Sequence, residues 1–147
     1  MDYRILIDAD GCPVVNQAIV LAKEFKVECY ILCDTSHYYQ RAGATTLTFS
    51  KGADSVDFAL VNLLKPNDIV ITQDYGLAAM ALARKARILN QNGMRYTDFN
   101  IESLLEVRYQ TKKRRAAGER VKGSAKRTCA QDESFIKALR IMLMEEI

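Results

Sequence analysis

Ile5-Leu6-Ile7-Asp8-Ala9-Asp10-Gly11-Cys12-Pro13 is an apolar run that stops abruptly at two carboxylates, a glycine, and a proline placed for the first turn of a helix. Val14, Ala18, Ile19, Leu21 and Ala22 follow at the spacing of an apolar helical face. The pattern predicts a buried strand that leaves Asp8 and Asp10 at its carboxyl end, the edge where open α/β sheets carry their sites. Two like charges held that close repel unless a cation or a proton lies between them. The bland alternative is that they cap the helix and face water.

Outward from this stretch the same unit repeats. Val27 to Cys33 reads as a second strand, apolar enough to be buried on both faces. Thr45 to Phe49, Asp68 to Thr72 and Arg87 to Leu89 read as further strands. Helices are expected between them, one with Val56, Ala59, Leu60, Leu63 and Leu64, and an Ala-rich one from Leu77 to about Lys85. Asn90 to Asp98 reads as a loop, and Asn100 as the cap of a helix carrying Ile101, Leu104, Leu105 and Arg108. The alternation predicts one α/β domain over residues 1–147, a three-layer α/β/α fold with a mainly parallel sheet of four to five strands. Residues 111–131 turn basic and polar, with Gly118 and Gly123, and read as a mobile segment. A C-terminal helix over about 132–146, capped by Asp132, presents Phe135, Ile136, Leu139, Met142 and Leu143 to the domain.

Charge is distributed unevenly. Between Arg108 and Arg127 stand nine Lys/Arg and one Glu, a net +8, whereas the remainder carries 12 basic against 17 acidic residues, a net −5. An acidic body with one basic arm suits a polyanion better than the total of +3 suggests. No apolar run approaches the ~20 residues that span a bilayer, and the start of the chain has no signal-peptide pattern. No membrane partner and a cytoplasmic location are expected. Cys12, Cys29, Cys33 and Cys129 form no CxxC pair, so disulfides and structural zinc are not expected, and Cys29 and Cys33 should share one buried strand face.

The chemistry-bearing residues recur at strand ends. Asp8 and Asp10 follow the first strand, Asp54 and Asp57 surround the start of the middle helix, and Asp74 follows the fourth strand. In a parallel sheet all of them fall on one edge. Carboxylates crowded there would repel one another, and a hard divalent cation, Mg²⁺ or Mn²⁺, resolves the repulsion. Metal-assisted phosphodiester hydrolysis is the chemistry that follows. Each residue also has a structural alternative: Asp54 as a helix cap, Asp57 as a partner of the helix dipole, Asp74 as a turn residue. Thr72 could position water or phosphate, and Lys51 could hold a phosphate. The Lys112-Lys113-Arg114-Arg115 run, with Lys122, Lys126 and Arg127, fits sequence-independent contact with a phosphate backbone.

The motif Asp8-Ala9-Asp10-Gly11-Cys12-Pro13-Val14 resembles the N-terminal signature of the bacterial YaiI/YqxD family. Gly52-Ala53-Asp54-Ser55-Val56-Asp57 and Asp68-Ile69-Val70-Ile71-Thr72-Gln73-Asp74-Tyr75-Gly76-Leu77-Ala78 resemble its second and third motifs. Asn90 with Gly93, Tyr96 and Asn100-Ile101, and Lys122-Gly123 with Lys126-Arg127-Thr128, extend the likeness over the whole chain. That family is similar to PIN-like nuclease domains of the NYN group, with a Rossmann-like fold and an acidic Mg²⁺ or Mn²⁺ site. The resemblance implies Asp8, Asp57 and Asp74 as principal ligands, Asp10 and Asp54 as assistants, and RNA as the substrate. Two other functions fit parts of the pattern. A haloacid-dehalogenase-like phosphatase would use Asp8 as nucleophile and Asp10 as acid/base, and a non-catalytic nucleic-acid-binding module would use the basic arm alone.

Overall fold

The protein is described by a computed structural model covering residues 2–35, 40–50, 55–120 and 126–146. The opening apolar run forms β1 (Ile5–Asp8), followed by α1 (Val15–Phe25), β2 (Cys29–Asp34) and β3 (Thr45–Phe49). Then come α2 (Ser55–Leu63), β4 (Ile69–Ile71), α3 (Tyr75–Ala83), β5 (Arg87–Leu89), β6 (Arg95–Tyr96), α4 (Ile101–Ala116) and α5 (Cys129–Leu143). The strands make one sheet in the order β3-β2-β1-β4-β5-β6. The first five are parallel and β6 runs antiparallel to β5.

The continuous apolar strands are buried on both faces, because alternate side chains serve opposite layers. Ile5, Ile7, Ile31, Ile69 and Ile71 pack beneath Val15, Ala18, Ile19 and Ala22 of α1 and Phe135, Leu139 and Met142 of α5. Leu6, Leu32, Val70 and Ile88 face the other way, against Leu60 of α2, Leu77, Ala78 and Ala81 of α3, and Ile101 of α4. The three-layer α/β/α expectation therefore holds. Cys29 and Cys33 are buried in the α1–α5 layer as expected, and Cys12, Cys29, Cys33 and Cys129 are all free thiols.

Four local readings change. The sheet has a sixth strand inside the expected loop 90–98. The Asn90 Oδ1 accepts the N–H groups of Asn92 and Met94, and Gly93 takes φ +88, closing a turn that returns the chain alongside β5. Residues Thr111 to Ala116, expected in the mobile segment, continue α4 instead; Lys, Arg and Ala are good helix formers, and cations suit a helix C-terminus. Asn100 stands at the N-cap of α4, but its side chain points backwards, Oδ1 accepting from Thr97 N–H and Nδ2 donating to Arg95 C=O. The last helix starts at Cys129, earlier than Asp132, because Thr128 and Gln131 form a reciprocal capping box. Asp132 instead accepts from Arg127 Nε at 2.7 Å.

Candidate active site

The strand order reverses direction between β1 and β4. From β1 the chain builds outward through β2 and β3, and from β4 outward through β5 and β6. Helices leaving the two strands go to opposite faces, α1 to one and α3 to the other, which opens a crevice at the carboxyl ends of β1 and β4. Register sets its contents. Ile7 is level with Ile71, so Asp8 and Thr72 come next to each other.

There the Thr72 hydroxyl donates to Asp8 Oδ2 at 2.8 Å and accepts the Asp74 N–H at 3.0 Å. Thr72 is buried, and its carbonyl accepts from the buried Tyr96 hydroxyl at 3.2 Å. Asp74 is the N-cap of α3, its Oδ1 accepting from Gly76 N–H and Leu77 N–H at 2.8 and 3.2 Å. Capping and facing the crevice are therefore compatible roles for this residue. Gln73 Nε2 donates to Gly11 C=O at 2.9 Å and ties the loop after β4 to the loop after β1, where Gly11 takes φ +76. Asp10 Oδ2 accepts from Asp34 N–H at 3.2 Å, at the end of β2.

Asp8, Asp10, Gln73, Asp74, Tyr75 and Arg108 line a cleft of about 460 Å³ at this point. Burial pushes the Asp8 carboxyl up to about 6, and the charges of Asp74 and Asp10 add to the rise while the Thr72 hydrogen bond works against it. A smaller cleft of about 320 Å³ adjoins, lined by Asp57, Phe58 and Met80 and sharing Asp74 and Arg108 with the first. Arg108, from α4, places Nη1 3.3 Å from Asp74 Oδ1 while its side chain is 56% exposed. Cys12 is held near the crevice by packing, with burial pushing its thiol up to about 11, so it is not an activated nucleophile.

Of the residues singled out from the sequence, Asp8, Asp10, Asp74 and Thr72 are thus brought together, and Asp57 stands in the adjoining cleft. Lys51, Asp54 and Lys122 lie outside the described residues. Lys112, Lys113, Arg114 and Arg115 are exposed on the last turns of α4, with Arg114 paired to Glu119 through two hydrogen bonds. Arg127, expected to meet nucleic acid, is a structural brace, donating to Asp132, to Asn92 Oδ1 at 2.6 Å and to Gln91 C=O at 2.7 Å. Lys126 is exposed beside it. Gln73, Tyr75 and Arg108 were not foreseen as cleft residues. For Arg108 the signal was its position one turn beyond Leu104 and Leu105 on the packing face of its helix.

The donors gathered here are hard oxygens, the kind that Mg²⁺ and Mn²⁺ prefer. They fit such an ion in donor chemistry, with water or substrate oxygens needed to complete its shell. Among the described residues no three Asp, Glu, His or Cys side chains lie close enough to hold a metal ion.

Comparison with known proteins agrees with the likeness to the YaiI/YqxD family. The sequence model of the family described as "Uncharacterized BCR, YaiI/YqxD family" matches residues 6–145. A UPF0178 protein of Exiguobacterium sibiricum is 50% identical, covering 97% of this chain and 98% of its own. Another from Ruminiclostridium cellulolyticum is 43% identical over 97% and 94%, and one from Bacillus cereus 36% identical over 95% and 98%. No solved structure matches the chain significantly. Among the described residues no helix is long and apolar enough to cross a membrane. Matched over nearly its whole length by these relatives and by the family's own model, the chain belongs to the YaiI/YqxD (UPF0178) family.

Proposed function

We propose that this chain is a divalent-cation-dependent nuclease that hydrolyses phosphodiester bonds of RNA at the crevice between β1 and β4. The observation that carries this reading is the meeting of Asp8, Asp10 and Asp74 in one cleft at the sheet's switch point, with Asp8 pushed up to about 6 by burial and by its acidic neighbours. A cluster so disposed gains from a cation. Asp8 and Asp74 would supply carboxylate oxygens to Mg²⁺ or Mn²⁺, water and substrate phosphate oxygens would complete its shell, and Asp10 and the more distant Asp57 would support. That ion would lower the pKa of an attacking water and neutralise charge on the phosphoryl group.

The chain's own residues have distinct tasks in this scheme. Thr72 fixes the Asp8 carboxylate and the Asp74 backbone in one relative position. Gln73 keeps the two crevice loops together. Arg108, half out in solvent, turns from Asp74 towards the phosphate when substrate and cation arrive, since a guanidinium pairs with either oxyanion. The basic end of α4 attracts the polyanion to an otherwise acidic body.

The test uses purified protein with labelled single-stranded RNA, single-stranded DNA and p-nitrophenyl phosphate, in Mn²⁺ or in EDTA. Mn²⁺-dependent cutting of RNA, abolished in Asp74→Asn and Asp8→Asn and strongly reduced in Asp57→Asn, is the expected result. Hydrolysis of the phosphate ester alone would replace this reading with the phosphatase. RNA binding without turnover would leave the binding module.

A further inference from the structure

Resting on the nuclease reading, we infer that one face of α4 is a track along which a single-stranded RNA runs out of the cleft, held by Arg108, Lys112 and Arg115. The face is defined by the structure at its inner end. Ile101 is buried in the α3-side layer, Leu104 and Leu105 pack half-buried against it, and one turn further Arg108 reaches Asp74 at the mouth of both clefts. Residues three, four and seven positions beyond continue the same side of a helix. They are Thr111, Lys112 and Arg115, and both cations are exposed. The stripe that packs on the domain thus becomes, without turning away, a row of cations starting at the candidate site. From Arg108 to Arg115 it extends by about 10 Å at 1.5 Å per residue.

The other two cations of the run are placed differently. Arg114 is engaged by Glu119, and Lys113 lies five residues from Arg108, on another side of the helix. The basic cluster therefore resolves into a directional element. Its charge complements a phosphate backbone, and its continuity with the cleft points to the strand being cut rather than to a separate ligand. A single helical row of cations meets one line of phosphates, which suits one flexible strand better than a rigid duplex that presents two.

The test measures binding and cleavage of RNA oligonucleotides of two and eight residues by the wild type, by Lys112→Gln/Arg115→Gln, and by Lys137→Gln. Lys137 is exposed on α5, across the sheet from α4. Gln keeps helix propensity near that of Lys and Arg. In EDTA, the slope of log affinity against log salt for the octanucleotide should fall by about 1.4 in the double variant, two contacts at about 0.7 each. In Mn²⁺ its KM for the octanucleotide should rise roughly tenfold, with kcat and dinucleotide cleavage unchanged. An unchanged salt slope, an equal loss in Lys137→Gln, an equal KM effect on the dinucleotide, or duplex RNA binding as tightly as the single strand would each overturn the track. Octanucleotide binding with the expected slope change, but no cutting by any form, would uphold the track and sink the nuclease reading.

Discussion

Thr72 holds Asp8 across the crevice, its hydroxyl donating to Asp8 Oδ2 at 2.8 Å while its oxygen accepts the Asp74 N–H at 3.0 Å. One buried hydroxyl therefore couples the first motif of the chain to the third. Thr72→Val keeps the shape and removes both bonds. Leaving the Asp74 N–H and the Asp8 oxygen unpaired should cost about 1–3 kcal/mol of stability and lower activity at least tenfold, whereas Thr72→Ser should restore most of both. Urea unfolding alongside RNA cleavage separates the two effects.

Asp8 makes stability depend on pH in an unusual direction. Its carboxyl is pushed up to about 6 in the folded protein from an ordinary value of 3.8. Between those values the folded state binds more protons than the unfolded one, so this residue's contribution falls as pH rises from about 4 to 6 and is flat above. Asp8→Asn, mimicking the protonated form, should match the wild type at pH 4 and exceed it by roughly 2 kcal/mol at pH 7, allowing for partial exposure. The same variant should be inactive. Denaturant midpoints from pH 4 to 7 in EDTA would show the divergence.

A second carboxylate braces the fold away from the cleft. Asp68 is fully buried, accepts the N–H groups of Arg4 and Lys65 at 2.9 Å each, and pairs with the Arg4 guanidinium at 2.6 Å. It sits just before β4, at the sheet edge away from the cleft. Asp68→Ala should destabilise by about 3–5 kcal/mol, since it leaves a part-buried cation and two N–H groups without their partner. The kcat of the protein that remains folded should be unchanged, which a low-temperature assay can read.

Gly93 governs the seating of the last helix. It takes φ +88, and a Cβ there would lie 2.6 Å from Ser134 C=O and 2.9 Å from Ala138 Cβ, both on α5. Gly93→Ala should therefore cost at least about 1–3 kcal/mol and loosen α5 from the domain, exposing it to limited proteolysis ahead of the rest of the chain. Protease resistance of α5 equal to the wild type's would contradict this account.

The apolar runs around Ile5–Ile7, Ile31–Cys33 and Ile69–Ile71, alternating with helical stretches, were sufficient to determine a mainly parallel sheet with helices on both faces, and the Asp at the strand ends marked the edge where the candidate residues would lie. Those are local facts of spacing and composition. What only the tertiary structure decided is which of these residues meet. Strand order placed β1 beside β4 and made Asp8, Thr72 and Asp74 neighbours, while Asp57 fell to the adjoining cleft. Arg108 enters both clefts only because α4 packs on α3. Arg127 looked like Lys112 in the sequence, yet the fold turned it inward onto Asp132 and Asn92. The physical reason is the same in each case: a side chain's partners come from elements far away in the chain, and a local pattern carries no record of them.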